Sequence, residues 1–289
     1  MFNTFLILSR TISNIFLSNK SSELFFIIIV SLSKDISIFS FSNILSFFLI
    51  SFGITILPKL SIFLFIYNSD IKSLFLNLVY LLFIYIYLKD LISKIKKSGQ
   101  RKSLLLHACC APCSSYVLEY LSSFFDITLY FYNPNISPAE EFKFREDELR
   151  RLIGEMPLPS EVKLFTAYYD PSEFEEISRG REELDEGGAR CYDCYKLRLR
   201  STADIAKRGG FDYFCTTLSI SPYKNAEWLN SIGKELSEEY GVAYLYSDFK
   251  KKNGYKRSCE LSEIYSLYRQ DYCGCEFSKK AAERRRYQK

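Results

Sequence analysis

Leu104-Leu105-Leu106-His107-Ala108-Cys109-Cys110-Ala111-Pro112-Cys113 is the stretch that decides the fold. Three consecutive leucines read as a short buried strand, and Ser114-Ser115-Tyr116-Val117-Leu118-Glu119-Tyr120-Leu121 behind Pro112 reads as an amphipathic helix. A strand that turns into a helix presents the residues of the turn at the carboxyl edge of a sheet, where open α/β folds take their ligands. Cys109 and Cys110 therefore stand at a mouth.

Outward from this unit, strands and helices alternate. Strands are predicted over 103–107, 127–132, 162–168, 211–217 and 242–246, and helices over 115–122, 139–153, 172–178, 191–207 and 228–240. Asn133-Pro134-Asn135 and Asp170-Pro171 are turn signals, and Pro138 opens a helix. Strands separated by helices predict an α/β fold, a mostly parallel sheet with helices on both faces. No internal repeat is present.

Composition divides the chain into an apolar extension over 1–100, a cysteine-bearing domain over 101–278 and a basic tail over 279–289. The first hundred residues contain no Ala, Cys or His and carry nine Lys/Arg against four Asp/Glu, which leaves 29 against 30 for the remainder. The tail holds six basic residues and one acid, a charge suited to phosphates or simply to a solvated helix end. Within 36–88, the stretches 36–58 and 73–88 approach the length of about 20 apolar residues that spans a bilayer. The basic residues Lys94, Lys96, Lys97, Arg101 and Lys102 would then hold the rest on the cytoplasmic side. The other reading of the extension is in-frame translation of AT-rich upstream DNA, with the true start near residue 90. No Met occurs between Met1 and Met156.

All nine cysteines lie between 109 and 275. In a chain with long strand and helix patterns, that places them in a reducing compartment, with metal or redox work to do. Cys191-Tyr192-Asp193-Cys194 sets two thiols one helical turn apart, and with Cys109 and Cys110 it makes four soft ligands. Four thiolates suit tetrahedral zinc and a 4Fe-4S cluster alike. Cys273-Gly274-Cys275 points to redox chemistry, because a glycine lets the pair close into a small, reducible disulfide ring. Cys113 can face that centre, support it or bind a second metal, while Cys215 and Cys259 read as bystanders. His107 can ligate a metal, move a proton or simply be packed. Asp170, Asp193, Tyr132, Tyr223 and Tyr272 are candidate proton donors, and the hydroxyls from Thr216 to Lys224 suit a phosphate, a ribose or a helix cap. Neither a P-loop nor a dinucleotide fingerprint occurs.

Five phrases in order resemble the QueH type of epoxyqueuosine reductase: H-A-C-C-A-P-C-S from His107, Y-N-P-N-I from Tyr132, R-C-Y-D-C-Y-K-L-R-L from Arg190, T-T-L-S-I-S-P-Y-K from Thr216 and Y-R-Q-D-Y-C-G-C-E-F-S from Tyr268. The resemblance implies an adenine-nucleotide α-hydrolase-like fold and a reaction on tRNA, the last step of queuosine biosynthesis. There the epoxide of epoxyqueuosine in the anticodon loop is reduced to the alkene of queuosine. It implies Cys109, Cys110, Cys191 and Cys194 as ligands of a 4Fe-4S cluster, Cys273 and Cys275 as a redox-active disulfide, an additional iron ion beside the cluster and an unidentified electron donor. The ATP-pyrophosphatase loop S-G-G-x-D-S is absent, and Ser137 stands where many relatives carry His. A zinc-stapled nucleic-acid-binding module is the rival reading. A thioredoxin-like enzyme fits less well, because its C-x-x-C should follow the first strand.

Overall fold

The computed structural model describes residues 69–287. The chain divides into two units, Met1–Phe83 and Ile84–Lys289. In the first, the described residues are helical and belong to α1 (Ser69–Ser98). The candidate span 36–58 lies outside the described residues and 73–88 falls within α1; among the described residues no helix is long and apolar enough to cross a membrane.

The second unit begins its sheet with β1 (Lys102–His107), followed by α2 (Ala111–Leu121), β2 (Phe125–Phe131), α3 (Ala139–Glu155), β3 (Lys163–Thr166), α4 (Ser172–Ser178) and α5 (Ala189–Arg208). Then come β4 (Tyr213–Thr216), a 3-10 turn (Thr217–Ile220), α6 (Ala226–Tyr240), β5 (Ala243–Tyr244), α7 (Gly254–Ile264) and α8 (Glu276–Tyr287). The strands are ordered β3-β2-β1-β4-β5, and every pair is parallel.

Side-chain alternation explains why β1 is central and continuously apolar. Leu104 and Leu106 pack with Val117, Leu118 and Leu121 of α2 and with Leu149 and Leu152 of α3. Leu105 points the other way, into Leu199 and Ala203 of α5 and Leu229, Ile232 and Leu236 of α6. A strand covered by helices on both faces has no polar side to show. The predicted α/β class is the observed one.

After β1 the chain winds to β2 and β3 on one side, and after β3 it crosses back to β4 and β5 on the other. The loops leaving β1 and β4 therefore part, and a crevice opens at their carboxyl ends. That crevice carries the first cysteine pair.

Two departures from the sequence reading have physical reasons. The expected strands 162–168 and 242–246 shrink to β3 and β5, because each pairs along one side only and over a few residues. Helices α7 and α8 agree with the polar helix start read around Cys259 and the helix end read for the basic tail, but the sequence pattern did not give their extent. Their buried faces consist of small residues, Gly254, Ser258 and Ser262 with Leu261 in α7, and Ser278 and Ala282 in α8, so no large apolar stripe marks them. At Gly254 a Cβ would lie 1.9 Å from the Phe249 carbonyl oxygen and 2.5 Å from the Tyr116 ring, so this helix start approaches its neighbours through glycine alone. Most of the basic tail belongs to α8, where Arg285 pairs with Glu186 at 3.5 Å and Arg286 with Asp271 at 2.5 Å.

Candidate active site

The turn after β1 is pinned from two sides. Ala108 N donates to the Tyr130 carbonyl at 2.9 Å, and the Asn133 amide donates to the Ala108 carbonyl at 2.9 Å. Cys110 is the extended residue that precedes α2, and Pro112 sits in the first turn of that helix, where no amide hydrogen is needed. As a result Cys109 and Cys110 do not diverge; their sulfurs lie 3.6 Å apart. Cys113, one turn into α2, brings a third sulfur, and all three lie within 4.8 Å of one another. A negative charge is best held where two S–H groups can donate to it. The neighbouring thiols therefore hold Cys110 well below the ordinary thiol range, while the Cys109 thiol, donating to Cys110, is pushed up to about 12 and Cys113 is raised as well. Across the crevice Cys109 Sγ lies 3.8 Å from Thr217 Oγ1, in the turn after β4.

Four of the other six sulfurs meet at a small cavity. Cys191 and Cys194 from the start of α5 line it together with Cys273 and Cys275, and with Asn135, Glu186, Arg190 and Tyr195. Cys191 Sγ accepts from Gly187 N at 3.3 Å, and burial pushes the Cys194 thiol up to about 12. The C-x-C loop is docked on the 133–137 turn: Ser137 N donates to the Gly274 carbonyl at 3.0 Å, and Arg145 Nη1 donates to the Cys273 carbonyl at 3.0 Å. Gly274 has φ 129°, and a Cβ there would lie 2.9 Å from Ile136 Cγ1 and 3.1 Å from Arg145 Nη1. Gly274→Ala is expected to destabilise the protein by about 1–3 kcal/mol, read as a lowered denaturant midpoint, and to lower turnover by displacing both thiols. An alanine variant with unchanged midpoint and rate would contradict this account of the loop.

Buried cations surround these sulfurs. Lys224 Nζ lies 3.0 Å from Cys273 Sγ. Burial alone would raise the Cys273 thiol, but the Lys224 ammonium and the Arg198 guanidinium outweigh it and hold the thiol below its ordinary range. Its partner Cys275 is raised, by burial and by the charge of Cys273. The surroundings thus drive the two thiols apart, Cys273 toward its thiolate and Cys275 toward its protonated form. Arg145 is paired with Glu141 at 2.7 Å and its guanidinium lies 5.1 Å from the centre of the Tyr272 ring. Arg198 Nη1 lies 4.0 Å from Cys194 Sγ, and Cys194, Cys273 and Cys109 all act electrostatically on its charge. One cysteine from each of the three motifs is therefore felt at a single guanidinium.

The remaining sequence candidates divide plainly. His107 is packed: its Nδ1 lies 2.9 Å from Thr216 Oγ1, its Nε2 3.1 Å from the Tyr132 carbonyl, and burial followed by the Arg198 charge lowers its pKa well below the usual value. Thr216 also accepts from Leu218 N, which makes it a cap for the 3-10 turn. Lys224 turns inward, its ammonium beside the Cys273 sulfur. Asp170 accepts from Ser172 N at 2.9 Å, Asp193 pairs with Arg181, and Tyr132 donates to Glu173. Tyr223 is open to solvent, 79% exposed. Cys215 is buried in β4 and donates to the Leu245 carbonyl at 3.1 Å, and Cys259 is half-buried on α7, apart from the sulfurs above.

Sequence reasoning passed over Arg145 and Arg198. A signal for the second was available: Arg198 stands four residues after Cys194, on the same helical face, where a purely structural helix would continue apolar. Three thiols at the crevice and four at the cavity, with the cations Lys224, Arg145 and Arg198 close by, are soft ligands suited to a thiolate-held metal centre. The Cys109, Cys110 and Cys113 sulfurs are close enough to hold a metal ion.

Residues 104–281 match the family described as epoxyqueuosine reductase QueH. Among curated proteins, the chain is 46% identical over 187 residues to the epoxyqueuosine reductase QueH of Streptococcus pyogenes serotype M1, covering 64% of this chain and 73% of that protein. It is 41% identical over 195 residues to that of Staphylococcus epidermidis, covering 66% and 82%. It is 34% identical over 185 residues to that of Thermotoga maritima, covering 61% and 90%.

Proposed function

The chain belongs to the epoxyqueuosine reductase QueH family, and from this we propose that it is an oxidoreductase that reduces the epoxide of epoxyqueuosine in tRNA to the alkene of queuosine. Cys109, Cys110, Cys191 and Cys194 hold a 4Fe-4S cluster, and Cys273 with Cys275 form the redox-active pair. The observation that supports the reading is the cavity that Cys191 and Cys194 share with Cys273 and Cys275, with the Arg198 guanidinium, on which Cys109, Cys194 and Cys273 all act, linking it to the first pair.

The stoichiometry agrees with the residues. Converting an epoxide to an alkene and water takes up two electrons and two protons. Oxidation of the Cys273 thiolate and the Cys275 thiol to a disulfide releases two electrons and one proton, so one passage of the pair supplies the electrons for one substrate and the second proton is drawn from solvent. An external electron donor then restores the dithiol. Lys224 keeps Cys273 as the readier thiolate, and Cys275, held protonated beside Ser278 at 3.3 Å, retains a proton to give. When bound, the cluster supplies one-electron transfer next to that pair.

Recognition of tRNA rests on different groups. Anticodon-loop bases are read unstacked, against aromatic faces and cations. Tyr223, 79% exposed and next in sequence to Lys224, whose ammonium lies beside Cys273, is a candidate stacking surface for such a base.

The test is an anaerobic assay of the full chain with a chemical reductant on tRNA that contains epoxyqueuosine, with nucleosides from digested tRNA separated by mass. Conversion of epoxyqueuosine to queuosine is expected. An iron-loaded, folded protein that leaves the epoxide untouched would refute the reading.

A further inference from the structure

Arg198 is a guanidinium sealed from solvent, 1% exposed, and among the described residues it forms no ion pair with a carboxylate. Its Nη2 donates to Asn133 Oδ1 at 2.7 Å, its Nε lies 3.3 Å from His107 Nε2, and its Nη1 faces Cys194 Sγ at 4.0 Å. An amide and a buried, uncharged imidazole carry no counter-charge. Arg145 is a control within the same molecule, since it is equally buried and has Glu141 at 2.7 Å. Arg190, also buried, lies 4.2 Å from the centre of the Phe277 ring and donates to the carbonyls of Arg181 and Glu182.

Burying an unpaired cation is costly, and proteins tolerate it where an anion completes the site. The direction left open to Arg198 is the one toward sulfur. Its other two bonds anchor it to His107 at the end of β1 and to Asn133 just beyond β2, so the planar guanidinium has a fixed orientation and Nη1 is aimed at the C-x-x-C thiol.

We propose that Arg198 is the fixed counter-charge of the sulfur-held redox centre, a positioning residue that sets the reduction potential of that centre and allows its thiolates to assemble in a buried crevice. The proposal rests on the reading of Cys194 as a cluster ligand. A permanent positive charge in a poorly screened site favours the more negative, reduced state of whatever lies beside it. Because arginine stays protonated, the bias does not vary with pH.

The experiment compares Arg198→Gln and Arg198→Lys with the unmodified full chain, all prepared anaerobically. The readouts are circular dichroism of the apoproteins, iron bound per chain and the midpoint potential from a dye-equilibrated titration. The Gln apoprotein is expected to fold. It then either binds at least tenfold less iron or, when loaded, has its one-electron equilibrium shifted at least tenfold toward the oxidised state, about 59 mV lower. The Lys variant is expected to stay within about threefold of the unmodified chain in both respects, because it keeps the charge. Full loading of the Gln variant at an unchanged potential would overturn the proposal. So would a Lys variant that fails as the Gln variant does, which would make shape the requirement, or a Gln apoprotein that does not fold, which would make Arg198 a structural hub. An unmodified chain with no iron–sulfur centre would instead remove the reading beneath it.

Discussion

Cys191→Ala is expected to yield a folded, colourless protein with no epoxide reduction. Cys191 stands at the first turn of α5, half-buried, with its sulfur turned into the cavity shared with Cys194, Cys273 and Cys275. The apolar packing of α5 comes from Leu199, Ala203 and Ala206 further along the helix, so truncation at its start leaves the core intact. A four-thiolate centre that loses one ligand loses most of its binding free energy, and iron retained on desalting should fall by about an order of magnitude or more. Thermal stability of the preparation should fall with it, because metal bound only by the folded chain stabilises that chain. Anaerobic iron analysis and the visible spectrum measure the effect. A Cys191→Ala protein that keeps full iron and colour would remove the residue from the ligand set.

Cys275→Ala separates the two kinds of thiol. The C-x-C loop is fixed through backbone groups: the Gly274 carbonyl accepts from Ser137 and the Cys273 carbonyl from Arg145. Removing the Cys275 sulfur therefore leaves the loop docked and the Cys191 and Cys194 sulfurs in place, although it enlarges the cavity they share. The variant is expected to keep iron and colour while turnover falls by at least about a hundredfold, the scale of a positioned reacting group. Affinity for tRNA should not change, since binding does not draw on this thiol. Product formed under multiple-turnover conditions gives the answer, and a fully active variant would show that the pair does not cycle.

The fold was legible because its signals are local. Leu104, Leu105 and Leu106 announce a strand covered on both faces, and the Cys109 to Pro112 turn announces the mouth, so the crevice at the ends of β1 and β4 follows from the alternation of strands and helices. The extents of helices α7 and α8 were illegible because they bury serine, glycine and alanine in place of a large apolar stripe. In the site, the cysteine motifs were legible by spacing. The buried cations were not, because a lysine or arginine reads as a surface residue until its neighbours are known. Lys224 looked like a phosphate binder from its run of hydroxyls, whereas its ammonium lies 3.0 Å from the Cys273 sulfur. Arg198 joins Asn133, His107 and Cys194, residues as many as 91 positions apart in the chain, and no local pattern encodes such a meeting.

The central claim is that thiols from separate motifs grip one iron–sulfur centre. Its most direct measurement is the iron and acid-labile sulfide content of the full chain prepared without oxygen, together with its zinc content. The account predicts about four iron and four sulfide per chain for the cluster, with at most one further iron, and little zinc. A single zinc ion and no sulfide, as the Cys109, Cys110 and Cys113 trio could hold on its own, would contradict it.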